Sequence, residues 1–577
     1  MIFTTKHTKH TKGRHPAQDR ARFSLSAHRM GGEGRGEVGF FYKSIRLAFV
    51  CFVCFVVQNS PAADLAVLKQ AAFKHYISHF NSMEDENVTN TISNTDSWAW
   101  LQKEIPFFEC PDKEVEETYY FRWWSFRKHL VLTPEGWVVT EFLTPVSHAD
   151  VFNTVSCAAG FHLAEGRWMN NPKYIDDYTT FWLRGNNGQP QKKFHKFSSW
   201  LVTAAYERYL VTGDKTSLTN LLDDFTADYR AWEKEQQLTN GLYWQFDVRD
   251  GMEESISGSR TERNLRPTIN SYMFANARSI AAIARLAGNQ ALAKEFAVKA
   301  ARLKRLTQEN LWNAQAKFFE VRHLDGTFAN VREQLGYIPW MFDLPDDDEK
   351  YNAAWNQLTD PSGFAAPAGL ATAERRSPLF RSHGVGTCEW DGAVWPFATS
   401  QTLYALANFL RDSGEAEAER VAPRAPFSAI STSGAHGVTR PTNVDYFDTF
   451  LTYVHSQRAD GKPYIGEYLD EVTGDWINGK GGRSRYYNHS TFADLLITGI
   501  VGLRPRGDKV VEVAPLLPPG IWDYFCLDGV KYHGHILTIL WDHDGTRYGR
   551  GQGLIILADG KEIARSQALA KLTGKLP

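Results

Sequence analysis

Between residues 150 and 505 the chain reads as helices joined by alternately short and long connections, and this alternation restricts the fold more than any other feature. Apolar spacing and turn residues predict helices over 151–165, 197–212, 217–237, 268–287, 289–310, 392–413, 443–457 and 489–502. Gly213-Asp, Gly288-Asn and Asp412-Ser-Gly supply turns between or after them. From Gln290 to Asn310, Ala, Leu, Phe and Val recur at i, i+3/i+4 opposite a Lys/Arg-rich face, the pattern of an amphipathic helix. Such helices stack as hairpins, into an open solenoid or a closed toroid. No fixed-period repeat is present, which counts against a TPR- or HEAT-type solenoid. The long connections 238–267, 358–391 and 458–488 are rich in Gly, Trp, Tyr, Asp and Glu. Loops of that length in a compact domain are usually functional.

The flanks differ. Residues 64–145 read as a mixed α/β segment, with a helical start from Leu65 to Phe80, a polar stretch at 87–96, and β-like runs at Leu130-Val-Leu-Thr and Gly136-Trp-Val-Val-Thr-Glu-Phe. Residues 506–577 read as a small β layer: Lys509-Val-Val-Glu-Val, Ile536-Leu-Thr-Ile-Leu-Trp and Gly553-Leu-Ile-Ile-Leu, with Asp544-Gly and Asp559-Gly as hairpin turns. The helical domain is expected over 146–505.

Residues 1–63 are expected to be a disordered leader followed by a secretory signal. Residues 1–40 have no apolar periodicity and contribute nothing to a core, and upstream sequence read in frame would look the same. Lys43 and Arg46 then precede an eleven-residue apolar run, Leu47 to Val57, and a small-residue exit at Ser60-Pro-Ala-Ala63. Eleven residues are too few to span a bilayer; a buried core helix is the other reading. Export to the periplasm or the extracellular space is the expectation, with no membrane span in the mature chain. Losing residues 1–63 removes ten Lys/Arg and three Asp/Glu, so the net charge moves from −2 to −9. Neither value fits a nucleic-acid binder that works through a basic surface. Cys110, Cys157, Cys388 and Cys526 lie far apart without metal-type spacing. No phosphate loop, zincin motif or nucleophile elbow is present, so the sequence supports neither a metal nor a nucleotide cofactor.

The chain carries 18 Trp, 23 Tyr and 36 Phe, more flat side chains than a core requires, and a groove that stacks on sugar rings would use them. Three long loops set a carboxylate among such residues. Trp244-Gln-Phe-Asp-Val-Arg-Asp-Gly-Met-Glu-Glu-Ser holds Asp247, Asp250, Glu253 and Glu254, and crowding with burial would raise one pKa to the level a general acid needs. A solvated acidic turn is the competing reading. Cys388-Glu-Trp-Asp-Gly-Ala-Val-Trp-Pro-Phe offers Trp390 and Trp395 as stacking platforms, Asp391 as a hydroxyl acceptor and Gly392 for close backbone approach. The same tryptophans would serve equally as core plugs. Tyr464-Ile-Gly-Glu-Tyr-Leu-Asp-Glu displays Glu467 beside Gly466, where a carboxylate can activate water or simply decorate a turn. Tyr119-Tyr-Phe-Arg-Trp-Trp-Ser-Phe-Arg, with Tyr120, Arg122, Trp123 and Trp124, and Glu165-Gly-Arg-Trp, with Arg167 and Trp168, read as ligand-facing walls or as cation–π packing.

The order of Tyr119-Tyr-Phe-Arg-Trp-Trp, Glu165-Gly-Arg-Trp, Asp250-Gly-Met-Glu, Arg266-Pro-Thr-Ile-Asn, Glu389-Trp-Asp-Gly-x-x-Trp-Pro and Gly466-Glu-Tyr resembles the trehalase and family 63 glycosidase clan, including its mannosylglycerate-hydrolase-like members. The resemblance covers 115–505. It implies an (α/α)6 toroid that cleaves α-linked glycosides with inversion, acting on an oligosaccharide or small glycoside. The clan's general acid, an Asp in a Ser-Gly-x-Asp setting, falls on Glu253, a departure that leaves Asp250 as an alternative acid. The general base falls on Glu467, and the sugar-binding walls on Tyr120, Arg122, Trp123, Trp124, Arg167, Trp168, Arg266, Asn270, Trp390, Asp391, Gly392 and Trp395. Two other functions fit the same architecture: a helical-toroid polysaccharide lyase, for which Tyr486-Tyr487-Asn488-His489 has the residue types, and a non-catalytic sugar-binding protein.

Overall fold

In the computed structural model, residues 65–86, 90–384, 386, 388–412, 440–477 and 482–577 are described. The leader and secretory signal expected in 1–63, residues 87–89 of the polar stretch and the Ser-Gly stop after Asp412 lie outside them.

Six inner elements close on themselves. Ser156–Gly166, Leu201–Thr212, Pro267–Leu286, the 3-10 turn and helix Gln334–Tyr337 and Ile338–Met341, Pro396–Asp412, and Ala493–Leu495 with its π-helical extension Leu496–Ile500 each pack on the next, and the last packs on the first. Outside them lie Lys173–Arg184, Leu222–Gln236, Gln290–Leu311, the short turns from Glu349 to Thr359, Asn443–Ser456 and Lys113–Lys128. The result is an (α/α)6 toroid.

Burial explains the two helix types. Every residue of Ser156–Gly166 and of Ala493–Ile500 is buried, so these inner helices have no polar face. The outer Gln290–Leu311 buries one stripe, Ala293, Phe296, Ala300, Leu303, Thr307 and Leu311, and leaves its cationic side in water. Local chemistry sets the ends. Asp112 accepts from the amides of Glu114 and Val115, Thr442 and Asp445 form a reciprocal capping box, and Gly213 ends Leu201–Thr212 at φ 71°. One cap comes from a neighbouring helix: the Glu165 carboxylate accepts the amides of Phe492, Ala493 and Asp494 at 2.9–3.3 Å and so seats the start of the sixth inner helix.

Several helices depart from the expected pattern. Lys113–Lys128 completes the outer ring from inside the segment read as preceding the toroid, and Lys173–Arg184 fills a stretch that carried no helix expectation. The helix expected from Leu65 begins at Lys74, after a 3-10 turn at Gln70–Phe73. At the C-terminal end, an antiparallel sheet runs Phe107–Glu109, Tyr524–Tyr532, His535–Asp542, Gly553–Ala558, Lys561–Ser566. Its first strand comes from before the toroid, and Asp528 accepts the amides of Val67 and Leu68, so both flanks share one layer.

Candidate active site

Three long connections and the hairpin after Lys113–Lys128 meet around two carboxylates, Glu253 and Glu467. The turn carrying Glu253 is built from Asp250. The amides of Asp250 and Met252 donate to the Asp247 carbonyl at 2.9 and 3.1 Å, and Gly251 takes φ 71°, a conformation glycine adopts freely. The Asp250 side chain is enclosed, with Ser198 Oγ donating to one oxygen at 2.7 Å and Arg266 Nε to the other at 2.6 Å, and neither partner of the ion pair has any exposed side-chain surface. A carboxylate held this way cannot reach a ligand. The acid role left open for Asp250 therefore has no geometric support, and Asp250 is instead the anchor of the loop. Glu254, at φ 61°, points outward to Arg260 at 2.9 Å.

Burial pushes the Glu253 carboxyl up to about 7, with the charges of Glu467 and Asp247 adding to it. Glu467 accepts from Ser484 Oγ at 3.0 Å, and Arg483 lies 3.0 Å from the same oxygen. Burial works against the Arg483 charge, but Glu467 and Cys388 raise its pKa above the ordinary value. The Cys388 thiol, 3.8 Å from the other Glu467 oxygen, is pushed up to about 11 by burial and by Glu467 and Glu253. Gly466 is required beside Glu467, since a Cβ there would meet the Trp476 ring at 2.6 Å.

The aromatic wall is a stack. Trp390 lies on Trp395 with centroids 4.6 Å apart, and Trp395 lies on Tyr468 at 4.7 Å. Trp395 Nε1 donates to the Glu389 carbonyl at 2.5 Å. Asp391 is ion-paired with Arg381 at 3.0 Å, and Gly392 permits that crossing because a Cβ would lie 2.1 Å from the Arg381 carbonyl oxygen. One Asp391 oxygen is thereby tied to Arg381 in the same loop, and the other is buried without a partner.

The other expected walls are placed elsewhere. Tyr120, Trp123 and Trp124 are fully buried. The Tyr120 hydroxyl donates to the Phe108 carbonyl at 2.8 Å, and Trp124 Nε1 to Asn81 at 2.7 Å. Tyr120 and Trp124 pack the seam between Lys113–Lys128 and Lys74–Ser82, while Trp123 packs on Tyr119 and Phe126 of its own helix. Arg122 reaches Tyr453 and Gln457 and donates to the Ser490 carbonyl at 2.6 Å, and so fixes the chain just beyond His489. Arg167 and Trp168 both bind Asp494 inside the ring, at 2.7 and 2.6 Å. Arg266 holds Asp250, and Asn270 bridges the Tyr243 backbone at 2.8 and 2.9 Å. Most polar groups of these residues are engaged within the fold, although Trp123 Nε1 and one Arg266 terminal nitrogen are buried without a partner; an aromatic and cationic run has the same composition whether it faces a ligand or a core.

Sequence reading missed Glu141. It lies just past the strand Gly136–Val139, accepts a hydrogen bond from the Tyr487 hydroxyl, and is pushed up to about 8 by burial and by the charges of Glu467 and Glu253. The one available clue was a carboxylate inside an apolar run. His489, against Trp395 and Tyr487, is pushed well below the ordinary histidine value by burial. Among the described residues no cluster of three His, Cys, Asp or Glu side chains could hold a metal ion, the four cysteines are free, and no helix is long and apolar enough to cross a membrane.

Comparison with known proteins matches this architecture. Residues 503–565 match the C-terminal domain of glycosyl hydrolase family 65. A solved chain titled "Sialidase" is 48% identical over 89% of this chain and 46% of its own, with a TM-score of 0.83, so the present chain spans about half of that relative's length. A GH78 family rhamnosidase of Bacillus sp. GL1 is 13% identical over 76% of this chain and 40% of its own at a TM-score of 0.52, a likeness of fold. The GH63 mannosylglycerate hydrolase from Thermus thermophilus, in complex with glucose, is 14% identical over 62% of this chain and 95% of its own, at a TM-score of 0.45. Residues 151–490, more than half of the sequence, match the mannosylglycerate hydrolase MGH1-like glycoside hydrolase domain, and the chain belongs to that family.

Proposed function

We propose that the protein is a glycoside hydrolase that cleaves α-linked glycosides, in an oligosaccharide or small glycoside, with inversion at the anomeric carbon. Glu253 is the general acid and Glu467 the general base. The observation that carries this reading is the contrast between two neighbouring carboxyl groups. Glu253 keeps its proton near neutrality, while Glu467 is ion-paired to Arg483 and accepts from Ser484. A carboxyl group raised by burial suits the acid, and a carboxylate held against an arginine and a hydroxyl donor suits the base.

In the reaction Glu253 gives its proton to the glycosidic oxygen as the C–O bond breaks. Glu467 takes a proton from a water that forms the new C–O bond on the opposite face of the ring. The products are an alcohol and a hemiacetal of inverted configuration, and both carboxyls return to their starting state by proton exchange with solvent. Room for that water requires the two carboxyl groups to stand about 6.5–9.5 Å apart. The Trp390–Trp395–Tyr468 stack is itself buried, with Trp395 sandwiched between the other two rings, and it braces the loop of Trp390 against the loop that carries Glu467.

The test is turnover of a glycoside panel (α-glucosides, α-mannosides, mannosylglycerate, trehalose and α-rhamnosides) by the wild type and Glu467→Gln. The variant should lose well over tenfold in kcat, and a loss below about tenfold would contradict the base role. Products absorbing near 235 nm would instead identify a lyase. We also propose that the protein is exported, on the strength of Lys43, Arg46, the Leu47–Val57 run and the Ser60–Ala63 exit; N-terminal sequencing of protein recovered outside the cytoplasm should start near Asp64.

A further inference from the structure

Several polar atoms around the carboxylate pair are buried without a hydrogen-bond partner. Glu141 Oε2 is one; its other oxygen accepts from Tyr487. His489 is another. Burial keeps its ring neutral, so one ring nitrogen must be an acceptor, and no donor reaches either of them. The backbone carbonyl of Glu467, which favours a proton on this ring, is itself an acceptor and leaves that need unmet. Tyr487 connects the two residues: its hydroxyl is on Glu141, and its ring lies 4.1 Å from the His489 ring. His489 in turn lies edge-on to Trp395 at 6.0 Å. This group is built rigidly. The Asn488 amide donates to the Glu141 carbonyl at 3.0 Å, Asn488 Nδ2 donates to the Thr140 carbonyl at 3.1 Å, and Arg122 holds the Ser490 carbonyl. Glu141 also feels the charges of both Glu253 and Glu467, which places it beside the pair.

Buried polar atoms left unpaired are costly, so several together in one site call for partners such as substrate hydroxyls or ordered water. We propose that Glu141, Tyr487 and His489 form a hydroxyl-recognising subsite that holds two hydroxyl groups of the sugar ring cleaved between Glu253 and Glu467. One hydroxyl binds Glu141 Oε2 and the other donates to the His489 nitrogen, while Tyr487 keeps the carboxyl in place. The proposal rests on the glycosidase reading and adds the residues that choose the sugar. A site that pairs its own buried polar groups with substrate hydroxyls discriminates strongly against a sugar lacking one, because the group is then stranded.

The experiment measures binding of free monosaccharides, so it needs no turnover. Wild type, Glu141→Leu, Tyr487→Phe and His489→Leu are titrated by saturation-transfer NMR with glucose, mannose, galactose, rhamnose and arabinose, and with the monodeoxy forms of whichever sugar binds. We expect wild type to bind at least one sugar and the Leu variants to bind it at least about tenfold more weakly, with a smaller loss for Tyr487→Phe. For the deoxy sugar lacking the contacted hydroxyl, wild type and variant should bind alike. If a Leu variant fails to fold, Glu141→Gln and Tyr487→Phe decide between the outcomes. Folded variants that bind within twofold of wild type, or a wild type that binds none of the five sugars, would overturn the subsite. Hydrogen bonds made only to buried water would give the first of these results. Sugar binding that depends on these residues, with no hydrolysis of any glycoside, would remove the hydrolase reading and leave the subsite standing.

Discussion

The backbone amide of Trp390 donates to the carbonyl of Glu253 at 3.1 Å. Through that bond the turn displaying the proposed acid is tied to the loop carrying the aromatic wall. The wall ends at Tyr468, the residue after the proposed base, and Val394 and Leu469 exchange backbone hydrogen bonds at 2.9 and 3.0 Å. Two carboxylates 214 positions apart in the chain are thus held by one continuous set of backbone contacts, the kind of rigid support that a catalytic pair requires.

The pH dependence follows from Glu253. A general acid must carry its proton, and Glu253 has been pushed up to about 7, above the ordinary carboxylate range. Activity should therefore hold below pH 7 and fall as the pH rises through that value, as a limb of kcat/KM against pH. Removing a neighbouring negative charge weakens the upward push, so Asp247→Asn should shift this limb to lower pH. An unmoved limb would separate it from Glu253.

Asp250→Ala should destabilise the fold by about 3–5 kcal/mol, since it strands the Arg266 guanidinium in a fully buried site. The check is a denaturant titration. If Asp250→Ala kept wild-type stability and lost all activity, Asp250 would be acting on substrate.

Gly392→Ala should cost stability in the same loop. The added Cβ would meet the Arg381 backbone oxygen at 2.1 Å, and a backbone atom cannot rotate away as a side chain can. A loss of about 1–3 kcal/mol, with weakened turnover as the Arg381–Asp391 pair is displaced, is the expected outcome in thermal melts and assays.

Much of this architecture was legible because loops announce themselves differently from cores. Gly251 and Gly466 sit within two residues of Glu253 and Glu467, and a carboxylate beside a glycine in a long aromatic connection is a recognisable pattern. The inner ring was harder to read. Gln334–Met341 is fully buried and short, so it offers neither a polar face nor length, and no helix was expected there. Lys113–Lys128 carries Tyr120, Trp123 and Trp124 in a run that resembles a sugar-binding wall, yet all three rings are buried, and Tyr120 and Trp124 fill a seam against Lys74–Ser82. Which face of a helix meets a neighbour is a property of the packed chain, and no local pattern encodes it. Glu141 was hidden for the same reason, since its importance comes from Tyr487, 346 residues away.

The central claim is that Glu253 and Glu467 act as an inverting acid–base pair, and the anomer released first tests it most directly. With an α-glycoside turned over by the full chain and followed by proton NMR from the first minutes, the β-anomer should appear first and the α-anomer only later, by mutarotation. The α-anomer appearing first would contradict the pair as described, because retention requires one of these carboxylates to act as a nucleophile.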